Sequence, residues 1–335
     1  MKKSIVLLVL IIGTTSFAAT VGNWISAGGA GSWSDPAMWA AGAVPVTTAG
    51  SSDEIKINSS VSSPDVTINY AANYNCRLST AGNEDTPTII RIANGADFQM
   101  GEFRVASRGV SSGMAAVANV YQTGGTLTVG DLVIGRYASG GIDPVRGSYT
   151  ISDGTIAYKN NGRLYVGAQT GSSGYYGAQG TFTVEGNAAS ITMKKLYVGA
   201  RDATTWGTGT MEFKAGANGV SAVKLADADS IQLDLAGASS TTNLVVSLTS
   251  TAPIADILLI ENTNTGAVNG RFDTINGIDA VEGAQVNLGG TIFTLTYLYD
   301  GTGDELNNDI ALIVPEPITI ALFGFGLLVI RRKNK

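Results

Sequence analysis

The sequence predicts an all-β fold, a right-handed parallel β-helix, and three observations carry that expectation. The first is a repeat. Leu132-Val133-Ile134-Gly135, Leu164-Tyr165-Val166-Gly167 and Leu196-Tyr197-Val198-Gly199 follow one another at a constant spacing of 32 residues. The second is alternation of apolar and polar residues within the repeat, the period-2 signature of strands with one buried face. The third is composition: 43 glycines and only 14% charged residues, with no sustained i, i+3, i+4 pattern outside the two ends, so the body reads as short strands bounded by turn residues. A β-sandwich in which the spacing is a coincidence is the alternative. Matching order in three consecutive units favours the solenoid.

In chain order, Lys2 and Lys3 precede an apolar run from Ile5 to Ile12 and a small-residue stretch ending at Ala19. This is the pattern of a secretory signal helix over residues 1–18, with Ser16 and Ala18 at the small positions of the cleavage site. A buried first strand is the competing reading. Residues 19–60 hold Trp24, Trp33 and Trp39. They read as an N-terminal cap, because an open coil would expose apolar core and unpaired strand edges; sugar stacking is the functional alternative.

Residues 61–313 form the solenoid body, with the clearest repeats over 119–225. Each of these Leu-to-Gly motifs is followed by a second strand, in Gly147-Ser148-Tyr149-Thr150-Ile151, Gly180-Thr181-Phe182-Thr183-Val184 and Gly209-Thr210-Met211-Glu212-Phe213. Alternation points Tyr149/Ile151, Phe182/Val184 and Met211/Phe213 inward, and Thr150, Thr183 and Glu212 outward. A third strand follows in Thr155–Tyr158, Ser190–Met193 and Ala222–Leu225. Equivalent strands are expected to stack about 4.8 Å apart, with Leu132/Leu164/Leu196 inside and Tyr165/Tyr197 on the outer face. Residues 314–335 comprise Pro315-Glu316-Pro317, an apolar run from Ile318 to Ile330 and the basic cluster beginning Arg331-Arg332. That run is an apolar helix of marginal membrane-spanning length, and the basic cluster would stay cytoplasmic.

Composition excludes whole mechanisms. There is no histidine and one cysteine, so no Ser-His-Asp triad, imidazole base, His-ligated zinc, four-cysteine metal site or intramolecular disulfide is available. Cys76 reads as a small buried apolar residue. A formal net charge of −6, with basic residues concentrated at the two ends, leaves an acidic body and argues against a nucleic-acid partner. No catalytic residue and no resident cofactor are assigned. Ca²⁺ at Asp300, Asp304 and Asp309 is the one metal the carboxylates leave open, although their spacing fails the EF-hand pattern and Asp-Gly turns have backbone reasons of their own. Asp227 and Asp229 read as turn residues. Arg136 and Arg201 lie near one face, as a lyase base would, but Ala168 breaks the row and Glu185 and Glu212 belong to another strand. Tyr165, Tyr197, Tyr175 and Tyr176 are either a glycan-stacking strip or ladders that stabilise stacked strands without a ligand.

The order Pro315-Glu316-Pro317, apolar run, Arg331-Arg332 resembles the PEP-CTERM protein-sorting signal, although Ile318 stands where a small residue is more frequent and Asn334 interrupts the basic residues. The resemblance implies an exosortase-type membrane protease as partner and cleavage near Pro315-Glu316-Pro317. It also implies transient anchoring in the inner membrane, then delivery to the surface or matrix of a Gram-negative-type bacterium. Gly31-Ser32-Trp33-Ser34-Asp35-Pro36-Ala37-Met38-Trp39, then Val44-Pro45 and Asp53-Glu54-Ile55-Lys56-Ile57, are similar to the N-terminal region of autotransporter-like β-helical proteins that carry this signal. The closing segments around Gly270-Arg271-Phe272, Gly289–Tyr297 and Asp309–Leu312 look like the same family. Together these readings describe a non-enzymatic structural protein of the cell surface, associated with exopolysaccharide. A carbohydrate-active β-helix (polysaccharide lyase or hydrolase) and a glycan-binding adhesin are the alternatives.

Overall fold

The computed structural model describes residues 20–314 apart from 25–29, 46–53, 59–62, 83, 108–115, 137–144, 168–177, 200–206, 228–230, 234–239, 252–254, 267, 302 and 304–305. The signal helix assigned to 1–18 and the sorting helix beyond Val314 lie outside the described residues. Within them the chain is all-β, a β-solenoid of about six turns, with a single 3-10 turn at Pro36–Met38 among the described residues.

Three faces arise because each turn supplies three strand stretches, and equivalent stretches pair in parallel from one turn to the next. The first face stacks Glu54–Asn58, Arg77–Ala81, the C-terminal parts of Asp97–Val105, Val117–Ile134 and Val145–Val166, then Lys195–Val198 and Ile231–Leu233. The second runs through Asp65–Ile68, Thr88–Ile92, the N-terminal parts of Val117–Ile134, Val145–Val166 and Ala178–Met193, then Gly207–Ala215 and Thr241–Leu248. The third includes Ala71–Asn73, the start of Asp97–Val105, the middles of the two longest strands, the end of Ala178–Met193, Val223–Leu225 and Ile257–Asn262.

The expected inner ladder exists and is longer than the repeat alone indicates. Ile55, Leu78, Phe103, Leu132, Leu164, Leu196 and Ile231 stand in register and are all fully buried. On the second face Val66, Ile90, Val120, Tyr149, Phe182, Met211, Leu244 and Ile275 do the same. Each such side chain contributes about 2 kcal/mol through burial. Tyr149, buried among them, places its hydroxyl on Gln122 Oε1 at 2.6 Å, and Gln122 in turn donates to the Thr155 carbonyl at 3.0 Å. A polar pair is therefore satisfied inside an apolar column, as burial of such groups requires.

The end of the Leu-x-Val-Gly motif is where the chain turns its corner. Gly167 has φ +61°, and a Cβ there would collide with the backbone of Thr208. Both the left-handed conformation and the close approach of another stretch of chain demand glycine.

The ends depart from this regularity in opposite ways. At the N-terminal end Thr20–Asn23 and Ala30–Ser32 continue the parallel stack onto Glu54–Asn58 and Asp65–Ile68. The stack thus runs through the segment assigned to the cap and begins before residue 61. Trp24, Trp33 and Trp39 fill the interior there. Trp39 meets Trp24 and Trp33 edge-on at 5.1 and 4.9 Å, and Trp33 meets Phe98 at 5.0 Å. Trp33 Nε1 donates to the Tyr74 hydroxyl and Trp39 Nε1 to the Trp33 carbonyl. At the C-terminal end the pairing reverses. Asp309–Ile313 runs antiparallel to Ile257–Asn262, Thr291–Tyr299 antiparallel to Asp309–Ile313, and Gln285–Leu288 antiparallel to Thr291–Tyr299. Thr274–Ile275 forms a small hairpin with Ile278–Asp279.

Candidate functional site

The outer surface of the first face concentrates the charged and aromatic residues. Register alone sets Glu54, Arg77, Glu102, Asp131, Arg163 and Lys195 in one row and Ser79, Arg104, Val133, Tyr165, Tyr197 and Gln232 in the next. Three of the five neighbouring pairs in the first row join opposite charges, Glu54 with Arg77, Arg77 with Glu102 and Asp131 with Arg163, as cross-strand pairing favours. Glu102 accepts from Arg77 Nε at 2.9 Å and from Arg104 Nε and Nη2 at 2.7 and 2.8 Å. Asp131 takes a two-pronged contact from Arg163 at 2.9 and 2.6 Å. Burial works against the Glu102 carboxylate, but Arg104 and Arg77 outweigh it and hold the group below the ordinary carboxylate range. Burial also lowers Arg104 to about 10, against the pull of Glu102. Hydrogen bonding to Asp131 holds Arg163 more firmly protonated than usual, with burial opposing.

Beyond these pairs lies the tyrosine ladder. Tyr165 and Tyr197 stack face to face, 4.8 Å between centroids and 17° between planes, and the Arg163 guanidinium sits 5.5 Å from the Tyr165 ring centre. At its centre the ladder is covered. Tyr165 is only 1% exposed and packs on Val133, which is fully buried. Its ring therefore offers no free face to a sugar, and Tyr197 is half-buried beside it. Thr183 is covered in the same way. It lies in the outward row between Thr150 and Glu212, but its hydroxyl is buried against Glu212 Oε2 at 2.8 Å.

The other predicted residues are dispersed. Arg136 follows the corner glycine on the first face, its backbone N–H donating to the Ala106 carbonyl, while Arg201, Tyr175, Tyr176, Asp229 and Asp304 lie outside the described residues. Asp309 is buried, with Oδ1 accepting from the Asn262 N–H and Oδ2 from the Gly301 N–H. Those bonds tie the closing sheet to the third face. Among the described residues no three His, Cys, Asp or Glu side chains gather as metal ligands. Cys76 is fully buried, as a small apolar residue would be. Ser16, Ala18, Pro315, Glu316, Pro317, Arg331 and Arg332 lie outside the described residues.

Two groups escaped sequence reading. The Glu102 cluster was signalled only by the charges flanking Phe103, which stands in register with Leu132. The second is the carboxylate of Asp256, which accepts from the Tyr299 hydroxyl at 3.0 Å and from the Val314 N–H at 2.8 Å. It holds the chain where it leaves the body, and no local pattern marks it.

The segment that leaves the body at this point carries a recognisable motif. Residues 314–333 match the family model of the PEP-CTERM protein-sorting motif. Neither a curated protein nor a solved structure matches the chain. The chain is thus a β-solenoid that carries a motif implying export and processing by an exosortase membrane enzyme. The motif implies transient anchoring in the membrane and a destination at the cell surface. No helix among the described residues is long and apolar enough to cross a membrane.

Proposed function

We propose that the protein is a non-enzymatic structural element of the cell surface or extracellular matrix, associated with exopolysaccharide. In this reading residues 1–18 are removed on export after Ala18, residues 19–60 begin the stack while their tryptophans protect its open end, residues 61–313 form the rest of the working rod, and residues 314–335 are removed near Pro315-Glu316-Pro317. The observation that carries it is the outer row of the second face. Asn119, Ser148, Thr181, Thr210, Asn243 and Thr274 stand in strict register, a line of hydroxyl and amide groups repeating about every 4.8 Å. At each end of the row neighbouring members bond to each other, Ser148 to Asn119 Oδ1 at 2.6 Å and Thr274 to Asn243 Oδ1 at 2.9 Å. Such a line meets the hydroxyls of a polymer at many weak contacts rather than enclosing one sugar, which suits a scaffold.

The test is cosedimentation of the mature protein with exopolysaccharide purified from the producing cells. Retention that falls in Thr181→Ala/Thr210→Ala, with the melting temperature kept, is the expected outcome. Release of oligosaccharides from that polymer by the purified protein would replace this reading with a lyase or hydrolase. Mass spectrometry of surface material is expected to find no peptide beyond Pro317.

A further inference from the structure

The sorting motif begins on the folded body itself. Ile313 is paired with Thr294 in the closing sheet, Val314 is anchored to Asp256 and packs on the core, and the matched motif starts at Val314. From Val314 to Pro317 an extended chain reaches about 10 Å. An enzyme that closes on Pro315-Glu316-Pro317 is thereby brought against the end of the rod.

That end is unlike the rest of the described surface. Of the large hydrophobic side chains exposed among the described residues, only Tyr121 lies elsewhere; Ile278, Val281, Ile292 and Leu298 all belong to the closing segment. Leu298 is 64% and Ile292 46% exposed. Ile292 lies on the outward side of Thr291–Tyr299, the side of Thr294 and its partner Ile313, while Phe293, Leu295 and Tyr297 point into the core. Asp279 and Glu282 adjoin Ile278 and Val281 in sequence, and Asp256 stands at the chain exit, with Arg271 paired to Asp279. These four exposed side chains and their acidic neighbours, taken together as a patch, match a partner that presents apolar side chains beside lysine or arginine.

We propose that this end of the rod is a docking surface for the membrane enzyme that processes the sorting motif, so that recognition includes the folded body as well as the tail. The inference rests on the sorting reading above. Binding through the patch raises the local concentration of the cleavage site at the active site, which a tail alone would not do. It also favours chains whose closing sheet has formed, since Ile292 and Leu298 are presented only when Thr291–Tyr299 is paired.

The test is the rate at which full-length precursor becomes mature protein in the producing cell, followed by pulse-chase. Ile292→Ser/Leu298→Ser is expected to slow conversion about tenfold, the loss of two interface anchors. Its melting temperature should be kept, because both side chains face solvent, and Tyr121→Ser is expected to be processed normally. A double variant processed at the parent rate overturns the docking surface. So does a Gly/Ser linker after Val314 that speeds cleavage, because the folded end would then be an obstacle. Flotation of the mature protein with vesicles of phosphatidylethanolamine and phosphatidylglycerol, lost in the double variant, would assign the patch to the bilayer and also overturn it. If the parent chain keeps its C-terminal residues on surface material, the sorting reading itself fails. If the parent is cut and the variant is cut equally fast, only the docking surface fails.

Discussion

The two ends of the rod face the same physical problem and solve it differently. A stack of parallel strands leaves an apolar interior and a row of unsatisfied backbone groups at each end. At the N-terminal end the stack simply continues, and bulk closes it: Trp24, Trp33 and Trp39 meet edge-on and fill the lumen with three indoles. At the C-terminal end direction closes it. Asp309–Ile313 turns back along Ile257–Asn262, and the strands beyond it fold Phe293, Leu295 and Leu312 over the opening. The first device depends on a few large side chains. The second depends on many small contacts plus the Asp309 and Asp256 carboxylates, which accept from backbone N–H groups. Stability should therefore be lost more abruptly at the first end than at the second.

The largest expected effect is at Trp33. Trp33→Ala leaves a ring-sized cavity and costs about 3–5 kcal/mol. In a solenoid that loss stays near the damaged end, so hydrogen exchange should show lost protection at Leu78 and Ile90 and retained protection at Leu244. Loss along the whole rod would mean the ends are not independent. Leu295→Ala is expected to cost about 3 kcal/mol and to release Ile257–Asn262 while Ile90 stays protected. Asp309→Ala leaves the Asn262 and Gly301 N–H groups without their carboxylate acceptor; about 2 kcal/mol is expected, read as a lower urea midpoint. In the middle of the rod, Tyr197→Ala removes one ring of a stacked pair and costs about 1 kcal/mol, with a change in near-ultraviolet circular dichroism from Tyr165.

The mildest effect is acid sensitivity. Glu102 has a folded pKa below its ordinary value, so its stabilisation is present above about pH 4.5 and is lost as pH falls through the folded value. Urea midpoints measured from pH 6 to pH 3 should fall less steeply in Glu102→Gln than in the parent.

Much of the rod was legible because its physics is local and periodic. The ladder of Leu132, Leu164 and Leu196 follows from alternation plus equal spacing, and the structure places all three in register. Ile55, Leu78 and Phe103 belong to the same ladder but were harder to see, since Leu78 to Phe103 is a shorter step than Leu132 to Leu164, and loop length carries no apolar signal. The closing sheet was visible as strands but not as a reversal of direction, because Thr291–Tyr299 alternates in the same way whichever way its partner runs. Burial on the outer side was the least legible feature. Alternation assigns Tyr165 to the outer face correctly, but whether an outward ring is covered depends on what packs over it. Asp256 was invisible for a related reason: its partners, Tyr299 and Val314, are distant in sequence.

The reversed strand at the C-terminal end also fixes what the molecule can become. Parallel stacking is open-ended, and one coil accepts the next without limit. Asp309–Ile313 runs against that direction and occupies the edge of the third face where another copy would have to begin, and the Thr274–Asp279 hairpin turns back the second face in the same way. At this end, two of the three ladders are thus closed to the parallel stacking of another copy. In the scaffold role proposed above, a surface layer would thicken or toughen by side-to-side packing and by polymer threaded between units, and its mechanical scale would follow from the number of turns in one chain.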